Sequence, residues 1–170
     1  EAGLKYFLMG SFASGFLLYG IALTYGASGS TNLQLIAGQY SLGDLSLMAK
    51  LGLGLLLVGF GFKIAAVPFH MWAPDTYDGA PTPVTGFMAT AVKTAGFVAL
   101  ARVLFTCFQT SIDTWQPVLT GIAVASMVLG NLVAVAQKSL KRMLAYSSVA
   151  HAGYLVASLV SGTPLGISAM

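Results

Sequence analysis

The chain has 170 residues, of which 56% are hydrophobic and only 8% are charged. Soluble domains carry about 25% charged residues, so this composition excludes a water-soluble protein and predicts an integral membrane protein. The formal net charge of +3 comes from basic residues that do not cluster, which argues against binding of nucleic acid.

Five apolar runs are each long enough to cross a bilayer as a helix, which takes about 20 residues. They cover about residues 4–27, 50–72, 84–108, 118–136 and 143–162. We therefore predict an all-α, polytopic bundle of transmembrane helices. Between the first two runs, residues 28–49 are polar at first and then weakly amphipathic. This pattern predicts an extramembrane loop with a short interfacial helix.

Short polar segments connect the later runs. Residues 73–83 contain three prolines and a glycine and predict a turn-rich connection. Residues 111–117 and 137–142 predict the next two loops. Five spans place the N-terminal flank, 73–83 and 137–142 on one side of the membrane, and this side carries most of the basic residues outside the runs. By the positive-inside rule, this side is predicted to be cytoplasmic.

The two ends of the sequence favour the interpretation that this chain is a fragment of a longer protein. The chain starts at Glu1 without an initiator methionine or the basic segment of a signal peptide, and it stops just after an apolar stretch. We therefore expect residues 1–170 to be a single piece of the membrane domain of a longer polytopic protein.

The second run carries two features that lipid should exclude. Lys63 lies in its middle, and Pro68 follows five residues later. An ammonium at bilayer depth costs roughly 3 kcal/mol or more, and a mid-helix proline frees backbone groups that hydrocarbon cannot satisfy. We predict that Pro68 breaks this helix beside a protein-lined cavity. The alternative is a simple kink, with a structural lysine bound to the freed carbonyls.

Lys93 is a second lysine near the middle of an apolar run. Burial disfavours the ammonium form, so a buried lysine can gain and lose a proton in turn. Lys63 and Lys93 on neighbouring helices are therefore candidates for one proton-conducting chain. A structural or interfacial lysine is the alternative for each.

Both histidines lie in or beside apolar runs. His151 has four hydroxyl side chains near it in sequence, and these can hold water and orient an imidazole that titrates near neutral pH. We predict a proton relay at His151 and a weaker one at His70, which lies beside Trp72 at a helix end and also suits an interfacial anchor. A hydrogen-bonded core residue is the alternative for each histidine.

Charged residues near the ends of the runs are weaker candidates. Glu1 and Lys5 are one helical turn apart and are able to pair. Lys138 and its basic neighbours are expected to anchor the helix at the lipid headgroups. A direct role in transport is the weaker alternative. Asp75 and Asp78 are expected to be solvated loop residues, with an acidic entrance as the alternative.

The sequence lacks the motifs of several other chemistries. Its one cysteine, Cys107, excludes an internal disulfide and a site built from several cysteines, such as an iron–sulfur centre. It has no phosphate-binding P-loop, and the serines near His151 have no nucleophile elbow or acidic partner. We expect no redox centre, bound cofactor or metal in this segment.

The stretch GFKIAAVPFHMWAPDTYDGAPTPVTGFMATAVKTAGF, residues 61–97, resembles the core motif of the antiporter-like, proton-pumping membrane subunits of respiratory complex I, the NADH:quinone oxidoreductase. The hallmarks are a lysine before PFH-x-W-x-PD and a second lysine in V/S-K-x-A-x-F, here Lys63 and Lys93. The stretches EAGLKYF (1–7) and QKSLKRMLAYSSVAHAGY (137–154) look most like the N-type subunit, the mitochondrial subunit 2 equivalent.

The resemblance implies that the five spans are helices six to ten of a fourteen-helix antiporter-like fold. Lys63 would be the pump lysine of a first half-channel, and Lys93 would be the lysine that links it to the middle plane of the membrane. His151 would continue the relay, and Lys5 would be a further functional lysine near the uptake side. The glutamate partner of the pump lysine would precede Glu1, and the second half-channel would follow this chain.

The predicted function is proton movement through buried lysine and histidine groups, coupled to quinone reduction elsewhere in a complex. The resemblance implies other membrane subunits as partners. It also implies NAD(P)H or ferredoxin, FMN, iron–sulfur clusters and quinone in other subunits. The bacterial plasma membrane is the favoured location, and an organellar membrane is the alternative. A cation/proton antiporter or membrane-bound hydrogenase subunit is the alternative function with the same chemistry, and a structural membrane scaffold is the alternative of another class.

Overall fold

The computed structural model describes residues 1–168, except the side chains of residues 164 and 167. The α-helices are α1 (Ala2–Ser28), α2 (Leu33–Tyr40), α3 (Leu47–Ile64), α4 (Trp72–Gly79), α5 (Thr82–Phe87), α6 (Lys93–Cys107), α7 (Ile112–Val135), α8 (Leu140–Val160) and α9 (Pro164–Ser168). A π-helical turn, Met88–Val92, joins α5 to α6, and a 3₁₀ turn, Gln109–Ser111, precedes α7. Residues 1–168 contain no strand, so the prediction of an all-α fold is confirmed.

Five helical segments are long and apolar enough to cross a membrane: Ala2–Ser28, Leu47–Ile64, Thr82–Cys107, Gln109–Val135 and Leu140–Val160. Each corresponds to one of the predicted apolar runs, so the prediction of five spans is confirmed. The predicted interfacial helix is α2, which Asn32 caps by accepting hydrogen bonds from the backbone N–H groups of Gln34 and Leu35.

The second span is shorter than predicted, and Pro68 lies outside it. α3 ends at Ile64, and Ala65 adopts a left-handed conformation with φ of 56°. The N–H groups of Ala65 and Ala66 close the helix on carbonyls of its last turn. Because the residue before a proline avoids the helical region, the chain has already left the helix when it reaches Pro68. The interruption predicted at Pro68 therefore begins at Ala65.

The segment 73–83, predicted to be a turn-rich connection, is largely helical. It forms most of α4 and the start of α5. Trp72 and Tyr77 are buried where α4 packs against α1 and α8. Pro74 lies in the first turn of α4, where a missing N–H leaves no helical hydrogen bond unmade. Burial of the two aromatic side chains therefore outweighs the turn-forming tendency of proline and glycine.

The predicted loop 111–117 is also helical, because α7 begins at Ile112. Trp115 is fully buried, and its indole N–H donates to the Phe108 carbonyl at 2.9 Å. This anchor holds the first turns of α7 against the end of α6. The connection between these two spans is therefore shorter than predicted.

The bundle contains two closely packed helix pairs, α1 with α3 and α7 with α8. Glycines permit the close approach: a Cβ at Gly20 would lie 2.9 Å from the Leu56 backbone nitrogen, and one at Gly130 would lie 2.7 Å from the Ala150 nitrogen. α4 lies where α1 and α8 begin, and α6 packs against α3. This packing brings together the end of α3, the start of α6 and α4, where the candidate residues lie.

Candidate functional site

The interruption after α3 is closed by protein groups. Trp72 donates its indole N–H to the Phe62 carbonyl at 2.9 Å, and Val67 donates its backbone N–H to the Ser126 hydroxyl at 2.9 Å. The alanines of the interruption are fully buried. Non-helical backbone is tolerated at membrane depth only where protein or water supplies hydrogen-bond partners. The interruption is therefore a stable part of the packed interior.

Lys63 lies in the last turn of α3. The free carbonyls of a helix C-terminus carry partial negative charge, which stabilises a lysine there. The stem of the side chain packs against α6, because a Cβ at Gly96 would lie 3.4 Å from the Lys63 Cγ. The side chain is exposed in this chain and lines an open cleft of about 570 Å³ with Ser11 and Ser14 of α1. Lys63 is therefore accessible to groups beyond this segment.

Lys93 is buried, with only 6% of its surface exposed. It begins α6 directly after the π-helical turn, and such turns recur at functional sites. Its ammonium donates hydrogen bonds to the Ser148 backbone oxygen at 3.2 Å and to the Ser148 hydroxyl. It also lies over the Tyr77 ring, 5.8 Å from the ring centroid. The ion pairs found within residues 1–168 do not include Lys93, so its described partners are all neutral.

Lys93 and His151 line one cavity of about 450 Å³ between α6 and α8. Ser147 and Ser148 line the same cavity and supply hydroxyl groups. Nδ1 of His151 lies 2.8 Å from the Ser147 carbonyl, which can only accept a hydrogen bond. Nδ1 therefore carries a hydrogen, and Nε2 is the nitrogen that is free to bind a proton. The structure thus brings two of the predicted relay residues together with hydroxyl groups that can hold water.

The other predicted relay residues lie outside this cavity. Lys63 lines the cleft beside α1. His70 is half-buried after α3, its ring centroid 6.3 Å from that of Tyr146. Its Nδ1 is buried without a hydrogen-bond partner among the described residues. Lys138 is exposed between α7 and α8. Lys93 and His151 therefore share one cavity, Lys63 lines another, and His70 and Lys138 lie apart from both.

Lys5 belongs to a network at the end of the bundle where α1 and α8 begin. Its ammonium lies 3.0 Å from Glu1 Oε1 and 2.8 Å from Asp75 Oδ2. Arg142 Nη1 lies 2.8 Å from Asp75 Oδ1. The hydrogen bond from Lys5 holds the pKa of the Asp75 carboxyl below its ordinary value of 3.8. Asp75 therefore ties α4 to α1 and α8, whereas the sequence predicted a solvated loop residue.

A second set of contacts joins α4 to the turn before α8. The Ser139 hydroxyl donates to Asp78 Oδ1 at 3.0 Å, and the Lys141 ammonium donates to the Asp78 carbonyl at 3.4 Å. These contacts place the start of α1, α4 and the 137–142 turn at one end of the bundle. This is the shared side that the sequence predicted for most of the basic residues outside the runs.

Sequence reasoning missed Tyr77 and underrated Ser148, the two residues that contact the buried ammonium. Tyr77 lies in a segment whose prolines and glycine predicted a connection. The spacing of Trp72, Thr76 and Tyr77, at i, i+4 and i+5, is the signal of a buried helix face that was available there. Ser148 was counted only among the hydroxyls near His151, because a single sequence does not show which helix faces a lysine 55 residues away.

The cavity between α6 and α8 has the components of a proton-holding site. A buried lysine releases a proton more readily than an exposed one, because burial removes the water that stabilises the ammonium. Hydroxyl groups and an imidazole in the same cavity can pass that proton on through hydrogen bonds. The network at the end of the bundle instead surrounds Lys5 with two carboxylates, which stabilise its charge.

Comparisons with known proteins place this arrangement in context. A family model described as NADH:quinone oxidoreductase/Mrp antiporter, TM, matches residues 1–170. NADH-quinone oxidoreductase subunit N of Trichlorobacter lovleyi is 51% identical over 170 residues, which cover 99% of this chain and 35% of that protein. The chain spans about a third of the length of the curated relatives it matches.

Two solved structures share the fold. Respiratory complex I from Thermus thermophilus with bound aureothin matches with a TM-score of 0.82 and 49% identity, over 98% of this chain and 36% of the matched chain. The Mrp complex from Dietzia sp. DQ12-45-1b matches with a TM-score of 0.90 and 26% identity, over 99% of this chain and 31% of the matched chain. The helix order and packing described above therefore recur in larger membrane complexes.

Proposed function

Because the chain belongs to the NADH:quinone oxidoreductase/Mrp antiporter transmembrane family, we propose that it is part of the proton-conducting membrane domain of a proton-translocating NADH:quinone oxidoreductase. Identity of about half over the whole chain to proteins named subunit N supports the N-type subunit. Quinone reduction elsewhere in the complex would drive proton movement through this segment.

The observation that carries the proposal is the cavity shared by Lys93 and His151. A buried ammonium without a carboxylate partner is costly at membrane depth. A lysine that only stabilised the fold would gain more from a carboxylate, as Lys5 does. An ammonium held by Ser148 and an aromatic ring can lose its proton without leaving an unpaired buried carboxylate. These surroundings suit a group that changes its charge.

Lys63 is proposed to start the transfer. It faces the open cleft beside α1, where a carboxylate from outside this segment would reach it. A change in that neighbouring charge would shift the proton affinity of Lys63 and send its proton towards Lys93. The contact at Gly96 supports this route, because it places the stem of Lys63 against α6 about one turn from Lys93. His151 would carry the proton onward.

The rest of the machinery would lie in other subunits of the complex. NAD(P)H or ferredoxin, FMN, iron–sulfur clusters and quinone would bind elsewhere, since the sequence carries no motif for them. Neighbouring membrane subunits would cover part of the exposed apolar surface of the helices. The five membrane-length helices and the bacterial relatives support a location in the bacterial plasma membrane.

A cation/proton antiporter subunit is the second candidate function. The higher TM-score with the Mrp complex, 0.90 against 0.82, favours it. The sequence identity favours the oxidoreductase, with 49% against 26%. In an antiporter, the same cavity would exchange protons for cations, and an imposed sodium gradient would move protons without NADH.

The test compares Lys93→Met with Lys50→Met in the intact complex, assayed in inverted membrane vesicles. Lys50 is an exposed lysine at the start of α3 that lines a different pocket, so it controls for the loss of a lysine from a membrane helix. We expect K93M to lower NADH-driven proton pumping by about tenfold or more, because the relay loses a proton-carrying group. We expect K50M to retain it.

Both variants must contain a normal amount of assembled complex. This amount is measured as the rate of NADH oxidation with an artificial electron acceptor. Undiminished pumping by K93M would contradict the proposal and favour a structural scaffold. Sodium-driven proton movement without NADH, lost in K93M, would favour the antiporter instead.

A further inference from the structure

Tyr77 touches the candidate lysine but has no place in the proposed proton route. It lies in α4 with 2% of its surface exposed, and the Lys93 ammonium lies over its ring at 5.8 Å from the centroid. Its hydroxyl is buried and bonds none of the described residues. The ring face, rather than the hydroxyl, is therefore the part of Tyr77 that meets the charge.

The Lys93 ammonium, which contacts the Tyr77 ring, has few other partners among the described residues. Ser148 supplies two oxygen acceptors from α8, and the ion pairs within residues 1–168 do not include Lys93. The face of an aromatic ring carries partial negative charge and attracts an ammonium within about 6 Å of its centre. This attraction is largest where water is excluded, and both side chains are buried. The ring therefore favours the protonated form of the lysine over the neutral form.

Packing fixes the Tyr77 ring in this position. Trp72 meets it edge-on, with centroids 5.7 Å apart and an interplanar angle of 89°. The Thr85 hydroxyl donates to the Tyr77 carbonyl at 3.1 Å and ties α4 to α5. Asp75, on the same helix, forms ion pairs with α1 and α8. The ring is thus held by a helix that is anchored at the end of the bundle.

We propose that Tyr77 is a positioning residue for Lys93: its ring face holds the protonated ammonium against Ser148 and sets the pH range over which the lysine stays protonated. The inference rests on the proposed function, because Tyr77 has this role only where Lys93 carries a transferable proton.

Other titratable groups surround Lys93. His151 of α8 lines the same cavity, and Lys63 of α3 touches α6 about one turn further along. His70 lies after α3, beside α8. Protonation of any of these groups disfavours a second positive charge nearby, whereas the neutral ring favours it throughout the physiological pH range. The variants chosen for the test leave all three groups unchanged.

The test compares Tyr77→Phe with Tyr77→Leu in the intact complex, with NADH-driven proton pumping measured from about pH 6 to about pH 9. Phenylalanine keeps the ring face and removes the hydroxyl, whereas leucine removes the ring. We expect Y77F to keep the wild-type pH profile. We expect Y77L to move the alkaline limb of the profile to lower pH by about one unit, the size of a desolvated cation–π contribution. A wild-type profile for Y77L would overturn the inference.

Tyr40→Phe and Tyr40→Leu are matched controls, because Tyr40 is also buried but packs against Phe108 instead of a lysine. Both should keep the wild-type pH profile. A shift for Y40L equal to that for Y77L would mean that loss of any buried ring has this effect, and would overturn the inference.

A third replacement at position 77 keeps the inference testable if Y77L assembles poorly. Pentafluorophenylalanine keeps the shape of the ring but reverses the charge of its face. We expect it to shift the alkaline limb to lower pH relative to Y77F. An unchanged profile would count against the ring as the group that holds the ammonium.

Failure of this inference is distinguishable from failure of the proposed function. If Lys93→Met stops pumping and Tyr77→Leu keeps the wild-type profile, the lysine carries protons without the ring. If Lys93→Met pumps normally, the proposed function is wrong, and the role of Tyr77 is wrong with it.

Discussion

Lys5 and Lys93 have opposite surroundings within one bundle. The Lys5 side chain is 44% exposed, and its ammonium lies within 3.0 Å of the carboxylates of Glu1 and Asp75. Lys93 is 6% exposed and is held by a serine and a tyrosine ring on neighbouring helices. Carboxylate partners stabilise a lysine in its charged form. Neutral partners in a buried site leave the charged and neutral forms closer in free energy.

Under the proposed function, the contrast separates an anchor from an exchange site. The ion pairs at the end of the bundle join α1, α4 and α8 and so hold the geometry of the helices. The cavity between α6 and α8 holds two titratable side chains and has room for water. Changes in the cavity should therefore alter proton pumping, and changes at the end of the bundle should alter stability more than pumping.

The largest effect among the neighbours of Lys93 is expected from His151→Ala. The contact of Nδ1 with the Ser147 carbonyl leaves Nε2 as the free acceptor of the His151 ring, and alanine removes it. Proton pumping in vesicles should fall by about tenfold at equal complex content. His70→Ala, outside the cavity, should have a smaller effect. A reversed order of the two effects would remove His151 from the relay.

A smaller effect is expected from Ser148→Ala. The change removes the hydroxyl acceptor of the Lys93 ammonium but leaves the backbone carbonyl in place. Pumping should fall by about threefold to tenfold, which corresponds to the net contribution of about 1 kcal/mol of a typical hydrogen bond. Ser158→Ala is the control, because that hydroxyl lies on the same helix but bonds the Leu155 carbonyl instead of Lys93. Equal effects of the two changes would mean that the bond to Lys93 is unimportant.

The smallest effect on pumping is expected from Asp75→Asn, which removes the shared partner of Lys5 and Arg142. The melting temperature of the complex should fall by about a few degrees while the pH profile of pumping stays unchanged. The pKa of Asp75 is held below 3.8, so its ion pairs are present at higher pH and are lost only as the pH falls through that lowered value. The loss of stability should therefore be the same at all pH values near neutrality.

Asp113→Asn is the control for this prediction, because Asp113 is exposed and forms none of the ion pairs found within residues 1–168. It should leave the melting temperature unchanged. Loss of pumping in D75N without loss of stability would place the end of the bundle on the proton route. The resemblance implies such a place for Lys5, and that role stays a prediction.

The spans and the burial of Lys93 were predictable because their causes lie in the local sequence, whereas Lys63 is exposed in this chain. Bilayer thickness sets the length of an apolar run, so five runs predict five spans. Lys63 and Lys93 stand out because each lies far from the ends of its run. The polar environment of His151 is also local, since Ser147 and Tyr154 lie within one helical turn of it on the same helix and contact its ring.

The details that decide the chemistry were not predictable, because they depend on contacts between distant segments. α3 ends at Ile64 because Ala65 is buried in a left-handed conformation and Trp72 bonds the Phe62 carbonyl. Tyr77 reaches the ammonium of a lysine on another helix only after α4 packs against α1 and α8. A single sequence does not reveal such pairings, so its prolines and glycine predicted a loop in this segment.

The central claim is that Lys93 changes its protonation state during turnover, and Lys93→Arg tests it most directly. Arginine keeps the positive charge and the hydrogen-bond donors but does not release its proton at physiological pH. NADH-driven proton pumping per assembled complex should fall by about tenfold or more in K93R. Lys5→Arg, at the lysine that forms ion pairs with Glu1 and Asp75, should retain normal proton pumping. Wild-type pumping by K93R would mean that a fixed positive charge is sufficient at this position, and would contradict the account.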